Sequence, residues 1–206
     1  MQATEAIFYI AILIMSVVIH EISHGFMAQY FGDKTAYFAG RLTLNPIKHL
    51  DLFGSILLPA MLVLTHSPFL IGWAKPVPYN PNNLRNRKWG EIAVASAGVL
   101  ANLFLAVFFG LILRFTLGMN VPQGLPIILS QIVIVNLGLA IFNLVPIPPL
   151  DGSKILFNLL PASFRSTMEI FERYSLILII LFIVFLSNYL VPILLFFFKL
   201  ITGLLF

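Results

Sequence analysis

The chain has 206 residues, 60% of them apolar and only 10% charged, which is too little polar surface to cover a water-soluble domain. Its formal net charge of +4 forms no basic face interleaved with aromatic residues, so nucleic acid is not an expected partner. Cysteine is absent, which excludes disulfides, thiolate metal sites and cysteine nucleophiles. The composition predicts a protein embedded in the lipid bilayer, in which His and carboxylate side chains bind any metal.

Long apolar blocks recur along the chain and approach or exceed the roughly 20 residues that a membrane-spanning helix needs. The first block lacks a cationic region before it, so we interpret it as mature structure and not as a cleaved signal peptide. We expect an all-α polytopic membrane protein, a helical bundle formed by a single domain over residues 1–206. The apolar blocks are Ala6–Ile19, Gly54–Trp73, Ile92–Leu113, Leu125–Val145 and Leu176–Phe198.

Ten of the twelve Lys and Arg residues lie in three connections, which the charge bias of membrane proteins places on the cytoplasmic side. If the connections before and after Gly54–Trp73 are both inside, this block must enter and leave the membrane on the same side. We therefore expect a re-entrant segment, with a single crossing as the alternative. The ten cations are Lys34, Arg41, Lys48, Lys75, Arg85, Arg87, Lys88, Lys154, Arg165 and Arg173.

Two stretches outside the apolar blocks favour extended backbone. Residues 34–45 alternate weakly and contain β-forming residues and a glycine, which predicts a short pair of strands. Residues 73–78 contain Pro76 and Pro78, which disfavour helix. We expect both stretches to lie near the active site as short β-strands, where an unwound substrate could pair with them.

The first apolar helix contains His20-Glu21-Ile22-Ser23-His24, the pattern H-E-x-x-H of zinc hydrolases. Residues four apart lie one turn apart on the same helix face, so His20 and His24 can present two ring nitrogens to one Zn²⁺ ion. Glu21 is rotated about 100° around the helix axis, where it can take a proton from water without being a ligand. Three ionisable groups in an apolar helix are costly and usually mark function.

A catalytic zinc ion normally has three protein ligands, so a third must be found elsewhere. The best candidate is Asp151, which follows an apolar helix and three prolines; the alternative is that Asp151 caps the helix after it. His49 and His66 are weaker candidates because both lie among turn residues.

These motifs together resemble the site-2 protease family of intramembrane zinc metalloproteases, peptidase family M50. The resemblance extends from Ser16 to Gly152. It rests on His20-Glu21-x-x-His24, on Ala97-Gly98-Val99-Leu100-Ala101-Asn102 and on Asn143-x-x-Pro146-x-Pro148-x-x-Asp151-Gly152.

The resemblance implies that Asp151 is the third zinc ligand and that Asn102 and Asn143 are polar residues of the core. Two positions depart from the family pattern: Val99 stands where proline is usual, and Ser153 where a second glycine is usual. Neither carries the chemistry, so both affect the expected helix geometry more than the activity. The chain is similar to minimal members of the family that have no PDZ or CBS domain.

The expected function is hydrolysis of peptide bonds within or near transmembrane segments of membrane protein substrates, with Glu21 as the base. Asn143 would orient the substrate or stabilise the oxyanion; the alternative is a hydrogen bond between helices. A zinc carrier and an inactive protease that holds partners are the alternative functions. We expect a prokaryotic cell membrane. The site should lie towards the cytoplasm, because the charge bias places the connections there and a re-entrant segment brings Asp151 to the same side as His20 and His24. The sequence does not indicate an oligomeric state.

Overall fold

The computed structural model describes residues 3–57, 61, 74–122 and 124–204. Within them, four helical stretches are long and apolar enough to cross a membrane, and no strand is formed. The all-α architecture is therefore confirmed. The membrane-crossing stretches are Ile7–Tyr30, Arg87–Thr116, Gly124–Asn143 and Ser175–Thr202.

Helices α1 (Ala3–Tyr30), α3 (Arg87–Thr116) and α4 (Gly124–Asn143) form the centre of the bundle, with α3 packed against both of the others. Helix α3 begins where the side chain of Asn86 accepts a hydrogen bond from the Trp89 N–H, which satisfies one free backbone donor of the first turn. The short helix α5 (Asp151–Leu159) packs against α3 and follows α4 after a proline-rich connection.

The connection between α1 and α3 contains a short helix where strands were expected. Residues 34–45 contain α2 (Thr35–Phe38), so the predicted strand pair is wrong. Asp33 accepts hydrogen bonds from both the N–H and the hydroxyl of Thr35, which starts a helical turn in place of a strand. Gly40 follows with a φ of 62°, a conformation that turns the chain immediately after the helix.

The remainder of this connection consists of short irregular elements. They are a 3₁₀ helix at Pro46–His49, a π-helix at Leu52–Leu57 and a 3₁₀ helix at Pro81–Asn83. Residues 74–80 form neither helix nor strand. The two prolines exclude helix as expected, but the β-strand predicted for 73–78 is not formed at residues 74–78. The predicted re-entrant segment, Gly54–Trp73, lies mostly outside the described residues.

The C-terminal part begins after a 3₁₀ turn at Ala162–Phe164 and contains α6 (Arg165–Arg173), α7 (Ser175–Leu181) and α8 (Leu190–Thr202). A π-helix at Phe182–Leu186 and a 3₁₀ turn at Ser187–Tyr189 join α7 to α8. Helix α8 packs on α3 and α4, where an apolar core is buried. The buried members of this core are Ala106, Leu113, Leu129, Val133, Leu137 and Phe198.

Candidate metal centre

His20 and His24 lie one turn apart near the end of α1 and face the interior of the bundle. Both are buried, and their rings meet edge to face with centroids 4.6 Å apart. Their Nε2 atoms are 3.0 Å apart. The H-E-x-x-H spacing therefore brings two ring nitrogens to one point.

Asp151 meets both histidines at this point. Its Oδ2 atom lies 3.1 Å from His20 Nε2 and 3.2 Å from His24 Nε2. Asp151 is the first residue of α5, whereas Leu150 occupies the cap position and its side chain makes no capping hydrogen bond. The Asp151 carboxylate thus points at the two histidines from a helix start that it does not cap.

Gly152 allows α5 to begin close to the end of α4. A Cβ atom on Gly152 would collide with the backbone carbonyl of Leu144, and also with that of Val145. Only a residue without a side chain permits this approach of two backbones. The glycine of Asp151-Gly152 therefore determines where the carboxylate lies.

The Nδ1 atoms of the two rings form hydrogen bonds with α3. His24 Nδ1 is 2.6 Å from the backbone oxygen of Val94, and His20 Nδ1 is 2.6 Å from Oδ1 of Asn102. A backbone oxygen only accepts hydrogen bonds, so Nδ1 of His24 carries its proton, and Nε2 of the neutral ring has a lone pair directed at the other ligands.

Gly98 leaves room for both rings against α3. A Cβ atom at this position would lie 2.6 Å from Cε1 of His20 and 2.6 Å from Cε1 of His24. Val94, Gly98 and Asn102 are spaced four residues apart, so they form one stripe of α3 that faces the histidines. The departure from the family pattern at Val99 leaves this stripe intact.

The three converging atoms fit a divalent cation. Their separations of 3.0, 3.1 and 3.2 Å are close to the roughly 3.3 Å between two ligands of a tetrahedral zinc ion with bonds of about 2.0–2.1 Å. Asp151 Oδ2 is buried and receives no hydrogen bond from any described residue. A buried carboxylate oxygen without a donor, facing two ring nitrogens, is the arrangement that a bound cation satisfies.

The charge state of Asp151 also suits a metal ligand. Burial alone would raise the pKa of Asp151, but the adjacent His20 and His24 rings outweigh it and lower that pKa. The side chain is thus an anionic carboxylate at neutral pH.

Glu21 borders the same centre and is half-buried. One of its carboxylate oxygens, Oε2, accepts a hydrogen bond of 2.8 Å from the backbone N–H of Val77. Glu21 also has an oxygen within 4.8 Å of nitrogens of His20 and His24. The segment 74–80 thus holds Glu21 beside the histidines while its other oxygen stays available.

Asn143 lies on the wall of a cavity of about 130 Å³ that the three converging side chains and Glu21 also line. Its Nδ2 atom donates to the backbone oxygen of Leu139, in its own helix, at 2.9 Å. The amide has a second N–H that can still donate. The alternative role of Asn143, a hydrogen bond to another helix, is not among the contacts described for this residue.

The cavity also has two polar residues that sequence reasoning missed, Tyr79 and Lys154. Lys154 Nζ lies 5.4 Å from the centre of the Tyr79 ring. Burial, with the charges of Glu91 and Asp151, raises the pKa of Tyr79 to about 12, so it remains a neutral phenol. Lys154 is three residues after Asp151 on one helix, a spacing that would have predicted its position.

Of the two weaker candidates for the third ligand, only His49 lies within the described residues. His49 is buried, but its Nε2 lies 2.9 Å from the backbone oxygen of Thr43. His66 lies outside the described residues.

Comparison with known proteins connects this geometry to a family. The profile described as Peptidase family M50 matches residues 8–131 and 121–187. "Putative zinc metalloprotease YwhC" of Bacillus subtilis is 41% identical over 184 residues, which cover 86% of this chain and 80% of that protein. "Putative zinc metalloprotease Rip2" of Mycolicibacterium smegmatis is 34% identical over 149 residues, or 71% of this chain and 54% of that protein.

A further relative matches over a shorter region. "Putative zinc metalloprotease sll0528" of Synechocystis is 40% identical over 73 residues, which cover 34% of this chain and 18% of that protein. No solved structure matches the chain. The match of the family profile over most of the length, with the 41% identity to YwhC, shows that this chain belongs to peptidase family M50, the site-2 protease family.

Proposed function

We propose that this multi-pass membrane protein is an intramembrane zinc metalloprotease that hydrolyses peptide bonds within or near transmembrane segments of membrane proteins. The observation that carries the proposal is the meeting of Asp151 Oδ2 with the Nε2 atoms of His20 and His24, at 3.1 and 3.2 Å, inside a bundle of apolar helices. A metal centre placed there acts on substrates that enter from the bilayer.

His20, His24 and Asp151 would hold one Zn²⁺ ion, since neutral imidazole and carboxylate are ligands that zinc accepts in hydrolases. Bound zinc supplies Lewis-acid activation of water and of the scissile carbonyl. Glu21 then takes the proton from the attacking water and transfers it to the leaving amine. The hydrogen bond from Val77 N–H orients Glu21 and leaves its other oxygen for this proton transfer.

Asn143 and the segment 74–80 would position the substrate. Asn143 lines the cavity and has an N–H beyond the one bound to Leu139, so it can donate to a substrate carbonyl or to the developing oxyanion. Pro76 and Val77 of this segment line the same cavity. An unwound stretch of substrate could pair with this segment through main-chain hydrogen bonds.

The alternatives explain fewer of the observations. A zinc carrier needs metal ligands along a pathway, whereas the described residues contain one cluster of His and acidic side chains close enough to share a metal, His20, Glu21 and His24. A carrier also has no use for Glu21 beside the ligands. An inactive scaffold has no use for a carboxylate that is held by a backbone N–H at the edge of the cavity. Both alternatives predict no peptide hydrolysis.

Separate substitutions test the roles of the base and of the ligands. Glu21→Gln is expected to keep zinc and to lose hydrolysis by 10²-fold or more, in line with the roughly 10²–10⁴-fold contribution of a general base. His24→Ala is expected to lose both zinc and activity. Asp151→Asn should weaken zinc binding and sharply reduce turnover, because a neutral amide replaces an anionic ligand. Zinc content and cleavage of single-span substrates are measured on the same purified samples.

Two outcomes would contradict this assignment. Full hydrolysis by Glu21→Gln would remove the proposed mechanism, and stoichiometric zinc in His24→Ala would mean that the ligands are wrong. Wild-type protein that binds zinc and cleaves no membrane substrate would favour the carrier or the scaffold.

We also propose that the site faces the cytoplasm and that Gly54–Trp73 is re-entrant. The Lys75 N–H donates to the His49 backbone oxygen at 2.9 Å, so residues on the two sides of this segment are bonded to each other. Ends that meet in this way are expected of a segment that returns to the side from which it entered. The cations of the flanking connections support the cytoplasmic side.

Single cysteines test this topology in a chain that has none of its own. Lys48→Cys and Arg85→Cys, at two exposed positions, should both react with a membrane-impermeant thiol reagent only when the cytoplasmic face is accessible. Met119→Cys, in the connection between α3 and α4, is the matched control and should react only from the opposite face. Reaction of Lys48→Cys and Arg85→Cys from opposite faces would show a single crossing.

A further inference from the structure

A row of buried polar side chains lies behind His20, on the side away from the cavity. Asn102 Oδ1 is 2.6 Å from His20 Nδ1, and Asn102 Nδ2 donates to Asn136 Oδ1 at 2.8 Å. Asn136 Nδ2 in turn donates to Ser16 Oγ at 3.0 Å and to the backbone oxygen of Ile132 at 2.9 Å. Asn102 and Asn136 are fully buried.

The hydrogen bonds of this row have one possible direction. The backbone oxygen of Ile132 can only accept, so the Asn136 amide must turn its NH₂ group towards it and its oxygen towards Asn102. Asn102 must then donate with Nδ2, which leaves its Oδ1 as an acceptor for His20. His20 therefore carries its ring proton on Nδ1, and its Nε2 lone pair faces Asp151 and His24.

We propose that Asn136 is a positioning residue that fixes the tautomer of His20 through the amide of Asn102. This inference rests on the proposed metal site, because the tautomer determines whether His20 Nε2 can bind zinc. Asn136 does not line the cavity and contacts neither His20 nor Asp151 among the contacts described for it. Its effect on the site is transmitted by Asn102.

The comparison with His24 supports this role. His24 donates directly to the backbone oxygen of Val94. A backbone oxygen can only accept a hydrogen bond, whatever the side chain at that position, so it fixes the tautomer of His24. His20 instead faces an amide that can rotate by 180° and present either a donor or an acceptor. Without Asn136, the Asn102 amide keeps one weak anchor, a 3.4 Å contact from Nδ2 to the backbone oxygen of Ser16.

The energetic cost of burying these polar side chains is a second argument that Asn136 has a function beyond packing. Polar side chains within apolar membrane helices are unfavourable unless they are paired, and they usually mark function. Here Ser16, Asn102 and Asn136 come from three different helices and are buried together. Packing alone would be satisfied by apolar residues at these positions, whereas orientation of the Asn102 amide requires a group with both a donor and an acceptor.

The first test uses protein in which Ser16, Asn102 and Asn136 are unchanged, without metal and with ¹⁵N-labelled histidine. The chain has four histidines, so His49→Gln and His66→Gln simplify the spectrum to the two rings of the site. The ¹⁵N shifts of the neutral ring should show protonated Nδ1 in His20. Protonated Nε2 in His20 would overturn the proposal, whether or not the protein cleaves any substrate.

The second test interrupts the row and then bypasses it. Asn136→Leu should leave His20 with mixed tautomers and weaken zinc binding about tenfold, the lower end of the 10–100-fold range for residues outside the ligand shell. Adding Asn102→Asp should restore most of this affinity, because a carboxylate presents only acceptors to His20 and needs no orientation. Zinc affinity is measured by competition with a chromophoric chelator.

Thr202→Val is the matched control. Thr202 is fully buried and its hydroxyl bonds to the Phe198 backbone oxygen in α8, outside the site. This variant should bind zinc as the wild type does. Unchanged zinc affinity and tautomer in folded Asn136→Leu would overturn the proposal, as would a loss of affinity that Asn102→Asp fails to restore. If Asn136→Leu does not fold, the tautomer in wild type decides.

Discussion

The core around the proposed metal site and the C-terminal stretch Ser175–Thr202 are both apolar, but they are built differently. Within the most apolar 18 residues of each, 39% are buried in α3 and only 6% in Ser175–Thr202. The buried stripe of α3 contains a glycine and an asparagine, whereas the C-terminal stretch is mostly Leu, Ile, Val and Phe. Apolar composition alone therefore predicts that a helix crosses the membrane, and small and polar residues indicate where helices meet.

The physical reason lies in the solvent. Lipid chains are as apolar as leucine, so large apolar side chains gain little by leaving lipid for another helix. Close contact requires small residues such as Gly98 and Gly152, and buried amides such as Asn102 bond across the interface. The Ser175–Thr202 stretch has few such residues in contact, so most of its surface is suited to face lipid.

Gly152→Ala should have the largest effect and tests whether close backbone contact distinguishes the two regions. The new Cβ would collide with the Leu144 carbonyl, which cannot move without displacing α5 and Asp151. We expect a loss of about 3 kcal/mol or more in the free energy of unfolding, at or above the upper end for overpacking. Zinc binding should fall with it. Thermal unfolding in detergent and zinc titration measure both effects.

Gly138→Ala is the matched control for this prediction. Gly138 also lies in a helix of the bundle, but a Cβ there would meet only Leu194, at an ordinary contact distance of 3.7 Å. Alanine also favours helix over glycine by about 1 kcal/mol, so Gly138→Ala should be neutral or slightly stabilising. Equal losses in the two variants would break the comparison.

Two phenylalanines test the same contrast within the C-terminal stretch. Phe198 is 2% exposed and belongs to the apolar core, whereas Phe185 is 68% exposed. Phe198→Ala should cost on the order of 2 kcal/mol, less than the roughly 3–5 kcal/mol of soluble cores because lipid replaces water as the reference. Phe185→Ala should stay within about 0.5 kcal/mol. Similar losses, measured by unfolding in detergent, would mean that Phe185 is covered by a partner.

Much of the bundle could be predicted because its signals are long and periodic. Four of the five apolar blocks correspond to the membrane-crossing helices. The helices differ from the blocks at their ends, because α1 continues past Ile19 to Tyr30 and α3 begins at Arg87, where polar residues continue the helix, whereas α4 ends at Asn143. The meeting of His20 and His24 followed from helix spacing. The family resemblance added Asp151 to them, and the predicted re-entrant segment placed it on the same side of the membrane. Their roles as ligands remain predictions.

The features that were missed depend on single local contacts. The strand pair at 34–45 was wrong because Asp33 starts a helical turn at Thr35, a contact that weak alternation does not reveal. Asn136 stands in an apolar helix without a motif around it, so its link to Asn102 appears only in the packed bundle. Tyr79 follows two prolines in a segment without helix or strand, and the sequence does not specify the path of that segment.

The last prediction concerns Asp33, which holds the loops beside the core and has no counterpart in the C-terminal stretch. Its carboxylate is buried and accepts hydrogen bonds from the Asn83 side chain and the Asn80 backbone N–H, besides two from Thr35. Asp33→Asn replaces an acceptor by an NH₂ group that faces donors. The expected loss at neutral pH is on the order of 1 kcal/mol. Glu172→Gln, at an exposed carboxylate of α6, is the control and should stay within about 0.5 kcal/mol.

The pH dependence of the stability difference between wild type and Asp33→Asn tests whether the negative charge of Asp33 causes it. Burial would raise the pKa of Asp33, but hydrogen bonds from Thr35, Asn83 and Asn80 outweigh it and lower that pKa below the ordinary 3.8. A lowered pKa means that the stabilisation is complete above the unfolded value and is lost as the pH falls through the folded value. The gap in unfolding free energy between wild type and Asp33→Asn should stay constant from about pH 7 to 5 and shrink below about pH 4. The lowered pKa of Asp151 affects the stability of both proteins equally, so it cancels in this difference. A difference that persists at acid pH would mean that the shape of Asp33, and not its charge, makes it important.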